Sequence, residues 1–207
     1  MDQALILDIF QIVVLIYSVV LHELAHGYMA RSMGDRTAEQ MGRLTLNPIA
    51  HLDMFGSIIL PLLSKVLGGF MFGYAKPVPY NPSALSDRRY GPAKVAVAGP
   101  MVNLALAVLA GIAIRVAGGG ASELLVEMLS YVVWINIVLA FFNLIPIPPL
   151  DGHWLLMTFL PARFHDLKVA LYRYQIFFLV ILLFVVFPML TPMMSWLFAI
   201  LTGLRLF

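Results

Sequence analysis

The stretch LHELAHGYMA, residues 21–30, lies in a long apolar run and yet contains His22, Glu23 and His26. Ionisable side chains are costly inside a membrane and usually mark a functional site where they occur. On a helix, residues four apart share one face, so both imidazoles can reach the same metal ion. The stretch therefore predicts a membrane-spanning helix that carries part of a metal site. The alternative is a helix whose two histidines bond only to neighbouring side chains.

The composition indicates a membrane protein. Of the 207 residues, 61% are hydrophobic and only 12% are charged, whereas a typical soluble domain has about 25% charged residues. The net charge is +2 and no basic run is present, which argues against nucleic-acid binding. The chain has no cysteine, which excludes disulfides and thiolate metal ligands.

Several apolar segments reach the length of about 20 residues that a membrane-spanning helix needs. The three clear ones cover about 4–33, 91–117 and 124–144. A last apolar block, 176–201, contains Pro188 and Pro192 and is either one kinked helix or a tight helical pair. We expect one all-α polytopic membrane domain over residues 1–207, with about five to six hydrophobic helices.

Residues 52–80 are harder to interpret. The apolar part is short and contains Pro61 and Lys65, and the end, GYAKPVPYNP, is rich in glycine, proline and aromatic residues. Irregular backbone enters a membrane only where protein or water satisfies it. We predict a re-entrant segment with a small β-like loop over 52–80. A pair of full spans is the alternative.

The charges at the helix ends predict the orientation. Arginine and lysine collect on the cytoplasmic side, and Arg31 and Arg36 follow the first helix whereas Asp2 and Asp8 lie near its start. We therefore expect the N-terminus outside a cell membrane and the HELAH turn in its cytoplasmic half. The N-terminus lacks the positive region of a signal peptide, so the first helix is expected to be retained.

The HELAH pattern is typical of zinc hydrolases, but two histidines leave the site incomplete. Catalytic zinc takes three protein ligands and activates water at an open position, where Glu23 can accept a proton. Asp151 is the best third ligand, because it is an isolated acid in apolar sequence after a proline-rich break. Other candidates are Asp53, His51, His153 and Glu39. Alternatively, Asp151 only caps a helix that starts at Gly152.

A second motif, NLIPIPPLDGH at residues 143–153, completes a resemblance. Together with HELAH it resembles the site-2 protease family of intramembrane zinc metalloproteases. The family pattern N-x-x-P-x-x-x-x-D-G is matched by Asn143, Pro146, Asp151 and Gly152. AGPMVNLAL is similar to a family turn, with Gly99 and Asn103 at the expected spacing. No PDZ-like or CBS domain is recognisable, as in compact bacterial-type members.

The resemblance implies one Zn²⁺ per chain, held by His22, His26 and Asp151. It further implies Glu23 as the catalytic base, and Asn143 and Asn103 as residues that hold the substrate backbone. The catalytic core would comprise three helices within about 4–33, 91–117 and 123–160. The implied activity is hydrolysis of peptide bonds within or near transmembrane segments.

The implied partners are the lipid bilayer and a transmembrane protein or peptide substrate, with a separate adaptor or a homo-oligomer as further candidates. Two other functions fit the sequence less well. One is a catalytically inactive zinc-binding scaffold, which has no need of a base beside its ligands. The other is a metal transporter, in which ionisable residues would be spaced through several helices.

Overall fold

The computed structural model describes residues 3–53 and 76–204. Four helices in these residues are long and apolar enough to cross a membrane. They are α1 (Gln3–Ser32), α3 (Gly91–Ala117), α4 (Glu123–Asn143) and α7 (Gln175–Thr202). Shorter helices are α2 (Thr37–Gln40), α5 (Gly152–Phe159) and α6 (His165–Arg173). The described residues contain no strand, and the predicted all-α polytopic membrane protein is confirmed.

A glycine turn ends α1. Gly34 has a φ of 99°, in the left-handed region that glycine adopts without a steric penalty. The buried Asp35 follows, and its carboxylate accepts hydrogen bonds from the amide and hydroxyl of Thr37 and from the amide of Asn81. These bonds attach the end of α1 to a segment that lies 46 residues further along the chain.

That segment, residues 76–81, is neither helix nor strand and is called the strap here. The guanidinium group of Arg43 donates hydrogen bonds to the carbonyls of Lys76 and Pro77, at 2.9 and 3.3 Å. Val78 is buried, and a Cβ on Gly27 of α1 would lie only 3.0 Å from its side chain. The strap is therefore held closely against α1.

The re-entrant segment predicted for 52–80 falls mostly on residues 54–75, which lie outside the described residues. The part that is described, 76–80, forms no helix and no strand. The choice between a re-entrant loop and a pair of spans stays a prediction, as does the single domain over 1–207.

The last apolar block forms one helix rather than a helical pair. α7 runs continuously from 175 to 202, with a π-helical turn at Leu182–Val186. Pro188 and Pro192 follow this turn inside the helix. Proline has no amide hydrogen, and a helix often adjusts to a lost hydrogen bond by widening a turn. Of the two alternatives that the prolines leave open in the sequence, one helix and a helical pair, the structure has the single helix.

α3 and α4 pack together and contact both α1 and α7. Between α3, α4 and α7 lies a buried apolar cluster composed of Ala107, Ala110, Ile114, Val133, Ile137, Met194 and Phe198. Small side chains such as the two alanines allow membrane helices to approach closely. The contact of α1 with α3 and α4 differs in that it also includes buried polar side chains, namely Ser18, His22, Asn103 and Asn136.

Candidate metal centre

Three side chains from distant parts of the chain converge between α1, α3 and α5. The Nε2 atoms of His22 and His26 lie 2.9 and 3.1 Å from Oδ2 of Asp151, and 3.0 Å from each other. Both imidazoles are buried. Within residues 3–53 and 76–204, no other group of three or more such side chains comes close enough to hold a metal ion. The structure thus brings the three predicted ligands together, and their role as ligands stays a prediction.

Hydrogen bonds on the far side of each ring determine how the rings face the centre. Nδ1 of His26 lies 2.7 Å from the backbone carbonyl of Val95. A carbonyl only accepts hydrogen bonds, so this Nδ1 carries a hydrogen, and in the neutral ring Nε2 presents a lone pair. Nδ1 of His22 lies 2.6 Å from Oδ1 of Asn103, which gives the same tautomer. Two lone pairs and a carboxylate oxygen therefore face one another.

Such a group of acceptors calls for a cation. Acceptors about 3 Å apart repel one another unless a positive charge lies between them. Two imidazoles and one carboxylate form a donor set that catalytic zinc sites use. Zinc–ligand bonds of about 2.0–2.1 Å give a tetrahedron with edges of about 3.3 Å, close to the observed 2.9–3.1 Å. The donor set and its spacing fit zinc.

The backbone of α3 closes one side of the centre at Gly99. A Cβ at this position would lie 2.5 Å from Nε2 of His26 and 2.6 Å from Nε2 of His22. Carbon atoms do not approach non-bonded atoms so closely, and the nearest atoms here belong to rings held by hydrogen bonds at their other edge. The space beside the ligand atoms therefore exists because residue 99 is a glycine and has no side chain.

Glu23 follows His22 on α1 and is half-buried. Its Oε2 accepts a hydrogen bond of 2.7 Å from the amide of Val78 in the strap. The other carboxylate oxygen has no partner among the described residues. The strap thus fixes one oxygen of the predicted base and leaves the other available for proton transfer.

Asp151 occupies the position of a helix cap but does not act as one. It directly precedes α5, yet its side chain makes no capping hydrogen bond and turns towards the two histidines. Behind it, the backbone packs tightly, because a Cβ on Gly152 would overlap the carbonyl of Leu144. This close turn after α4 carries Asp151 back to the centre.

The two predicted substrate-binding asparagines lie in different surroundings. Asn143 is half-buried; its amide nitrogen donates to the carbonyl of Leu139, at 2.9 Å, and its oxygen has no partner among the described residues. Asn103 is fully buried in α3, and its oxygen faces His22. A contact of either residue with substrate stays a prediction.

Four other candidate ligands lie outside the converging group. They are Asp53, His51, His153 and Glu39. His153 bonds through Nδ1 to a carbonyl one turn back, and burial lowers the pKa of its ring. His51 bonds through Nε2 to the carbonyl of Thr45, at 2.9 Å, and so closes a turn. Glu39 forms an ion pair of 2.9 Å with Arg31.

Comparison with known proteins agrees with this geometry. The sequence model of peptidase family M50 matches residues 10–120 and 111–185. The chain belongs to peptidase family M50. Within M50, it is 38% identical over 159 residues to "Putative zinc metalloprotease YwhC" of Bacillus subtilis, which covers 73% of this chain and 69% of the relative. Membership of M50 confirms the predicted resemblance to the site-2 proteases.

A second M50 relative is "Putative zinc metalloprotease Rip2" of Mycobacterium tuberculosis. It is 33% identical over 136 residues, which covers 66% of this chain and 51% of the relative. The chain thus spans about half the length of Rip2. No solved structure matches the chain.

Three polar side chains near the centre of this M50 member lie outside its sequence motifs and are not among the predicted site residues. Ser18 and Asn136 are buried and bond to Asn103 or to each other. The hydroxyl of Tyr80, in the strap, is buried without a partner among the described residues, and its ring packs edge-on against Trp154. An amide such as Asn136 in an otherwise apolar helix is the signal that points to a polar contact.

Proposed function

We propose that this M50 member is an intramembrane zinc metalloendopeptidase that hydrolyses peptide bonds within or near transmembrane segments of other membrane proteins. The observation that carries the proposal is the convergence of three acceptors within 2.9–3.1 Å, with Glu23 beside them. The relatives that bear zinc metalloprotease names support the same activity. The three ligands would be His22, His26 and Asp151.

The chemistry follows from the ligand set and the neighbouring carboxylate. Zinc, when bound, would supply Lewis-acid polarisation of the scissile carbonyl and of an attacking water molecule. Glu23 accepts the proton of that water on its free oxygen, while the amide of Val78 holds the other oxygen in place. Glu23 then passes the proton to the departing amine. His22 and His26 keep their Nδ1 hydrogens throughout.

The peptide bonds of a transmembrane substrate are shielded from attack as long as the substrate is helical. A transmembrane helix satisfies its own backbone, so the peptide bond to be cut becomes accessible only after local unwinding. Side-chain amides can bond the groups that unwinding frees. The unpartnered oxygen of Asn143, at the end of α4 beside the turn to Asp151, suits that role. Asn103, fully buried between helices, suits the role of holding His22.

The proposal includes an orientation. Basic residues cluster where α1 ends and where α3 begins, at Arg31, Arg36, Arg88, Arg89 and Lys94. The positive-inside rule then puts this end of both helices at the cytoplasm and the N-terminus outside. The bond to be cut would lie near the cytoplasmic end of the substrate helix. A separate adaptor or a second copy of the chain is a candidate for substrate selection.

The alternatives account for fewer of the observations. A zinc-binding scaffold has no use for a carboxylate held next to its ligands by the strap. A metal transporter needs further ligands along a path, and the described residues contain a single group able to hold a metal ion. The protease uses both the ligands and Glu23.

The Glu23→Gln variant tests the proposal. It keeps the shape of the side chain and the three ligands but cannot accept the proton, so cleavage should fall by about a hundred- to ten-thousandfold with zinc content unchanged. Cleavage is followed on tagged single-span membrane proteins expressed in the same cells. Substrates that accumulate on the inactive variant are captured with it and identified by mass spectrometry.

The matched control is Glu39→Gln, which makes the same chemical change in an ion pair outside the site and should cleave normally. Cleavage by Glu23→Gln at the normal rate would show that another group is the base. Capture of no membrane protein above the control would favour the scaffold. Absence of zinc from the purified wild-type protein would contradict the ligand assignment.

A further inference from the structure

Three polar side chains meet between α1, α3 and α4 outside the triangle of ligand atoms. They are Ser18, Asn103 and Asn136, whose exposed fractions are 4%, 0% and 0%. Buried polar groups without hydrogen-bond partners are costly in an apolar interior, so the bonds among these side chains are expected to be complete. Their directions can be assigned from backbone carbonyls, which only accept.

The assignment begins at Asn136. Its Nδ2 lies 2.9 Å from the carbonyl of Val132 and 3.0 Å from the hydroxyl of Ser18. Because the carbonyl only accepts, the amide group must present its nitrogen on this side and its oxygen on the other. That oxygen accepts a hydrogen bond of 2.8 Å from Nδ2 of Asn103.

The orientation of Asn103 follows in turn. Its Nδ2 donates to Asn136 and also to the carbonyl of Ser18, at 3.3 Å. Its Oδ1 must therefore face Nδ1 of His22, at 2.6 Å, and that nitrogen must carry the hydrogen. In the neutral ring, Nε2 of His22 is then unprotonated, and its lone pair faces His26 and Asp151.

The two histidines differ in what fixes this tautomer. For His26 the partner is the backbone carbonyl of Val95, which no side-chain substitution removes. For His22 the partner is the amide of Asn103, whose orientation depends on the 2.8 Å bond to Oδ1 of Asn136 and on a longer one, 3.3 Å, to the carbonyl of Ser18. A reversed Asn103 would present Nδ2 to Nδ1 of His22 and so favour a hydrogen on Nε2, where a metal ligand needs its lone pair.

We propose that Asn136 is a positioning residue of the metal centre: through Asn103 it holds His22 in the tautomer that leaves Nε2 free for the metal. The metal part of this inference rests on the proposed zinc site. The tautomer itself does not, because it follows from the hydrogen bonds alone. Ser18 contributes by accepting from both asparagines.

Zinc affinity, measured by competition with a chelator on the full-length chain, tests the metal part. Asn136→Leu should weaken zinc binding by about 10- to 100-fold, the usual effect of losing a hydrogen-bond partner of a metal-bound histidine. Thr191→Val is the control, because it removes a polar group that bonds only to its own helix, and its affinity should match the wild type.

A rescue separates positioning from general damage to packing. Asn103→Asp offers two equivalent oxygens, so His22 finds an acceptor whichever way the side chain turns. In that background Asn136→Leu should no longer weaken zinc binding. The inference would be overturned if Asn136→Leu alone kept the zinc affinity of the wild type. It would also be overturned if Asn136→Leu lowered the zinc affinity by about 10-fold or more in the Asn103→Asp background.

A second measurement needs neither metal nor activity. Nitrogen NMR of isotope-labelled histidine in metal-free protein at alkaline pH reports which ring nitrogen carries the hydrogen. We expect Nδ1 of His22 to carry it in the wild type, and part of the population to move to Nε2 in Asn136→Leu. An unchanged tautomer in Asn136→Leu would overturn the inference. If the tautomer responds but the wild type takes up no zinc, the proposed function fails and the positioning role stands.

Discussion

Two neighbouring residues of α4, Asn136 and Ile137, are both fully buried and yet are held in different ways. Asn136 faces α1 and α3 and bonds to Ser18 and Asn103 at distances of 2.8–3.0 Å. Ile137 belongs to the apolar cluster shared by α3, α4 and α7. α4 thus has a polar face, whose hydrogen bonds orient side chains, and an apolar face, whose side chains pack against α3 and α7.

The difference shows which contacts place the ligand atoms. Lipid tails are as apolar as an isoleucine side chain, so the apolar cluster gains only close packing on leaving lipid, and similar shapes serve equally well. Hydrogen bonds have direction, and each buried donor and acceptor needs its partner. We therefore expect small changes on the polar face to be severe and small changes on the apolar face to be mild.

The largest effect is expected for one methyl group added to α3 beside the two histidines. In Gly99→Ala the new Cβ would lie 2.5–2.6 Å from Nε2 of both histidines, so the ligand atoms must move apart. Zinc content of the purified protein should fall below detection, and cleavage should be lost with it. Gly119→Ala is the control, since a Cβ there meets nothing within 4 Å. Full zinc content in Gly99→Ala would show that the rings can yield.

One methyl group removed from the apolar face should matter much less. Ile137→Val leaves a small cavity in the apolar cluster and should lower the free energy of unfolding by about 1 kcal/mol. Zinc affinity and cleavage should stay at the wild-type level. Unfolding is measured by denaturant titration in detergent micelles. A loss of zinc affinity comparable to that of Asn136→Leu would contradict the distinction between the two faces.

The smallest effect is expected at Asp35, whose carboxylate accepts its hydrogen bonds outside the membrane-spanning helices. Burial raises the pKa of the Asp35 carboxyl, but hydrogen bonds from Thr37 and Asn81 outweigh this, and the pKa lies below its ordinary value. A carboxyl whose pKa is lowered on folding stabilises the protein above its unfolded-state pKa. That contribution is lost as the pH falls through the folded-state pKa.

The melting temperature of metal-free protein should therefore drop more on acidification for the wild type than for Asp35→Asn. Use of metal-free protein removes the separate effect of acid on the ligands. Identical pH profiles of the two proteins would mean that Asp35 does not stabilise the contact between α1 and the strap.

The sequence contained enough to predict the three converging side chains and the long apolar helices. A helix places His22 and His26 on one face by its period alone, and four apolar segments indicate the spanning helices. Asp151 needed the second motif as well as its isolation among apolar residues, because spacing along the chain does not say which helix end returns to the centre. Membership of M50 confirms the family that these two motifs indicated.

The supporting contacts could not be predicted in the same way. The partner of His26 is the carbonyl of Val95, and a backbone group has no signature in the sequence. Asn136 and Ser18 depend on how α4 and α1 are rotated about their axes, which packing decides. The π-helical turn of α7 likewise depends on local adjustment around Pro188. Such features follow from tertiary structure and become visible only once the helices are assembled.

The distance along the chain between the ligands has a consequence for biosynthesis. His22 lies 129 residues before Asp151, so the ligand set spans more than half of the chain. While α1, α3 and α4 are being inserted, the histidines have no carboxylate partner and the centre lacks a ligand. A newly made chain therefore has an incomplete centre until the turn after α4 has folded back.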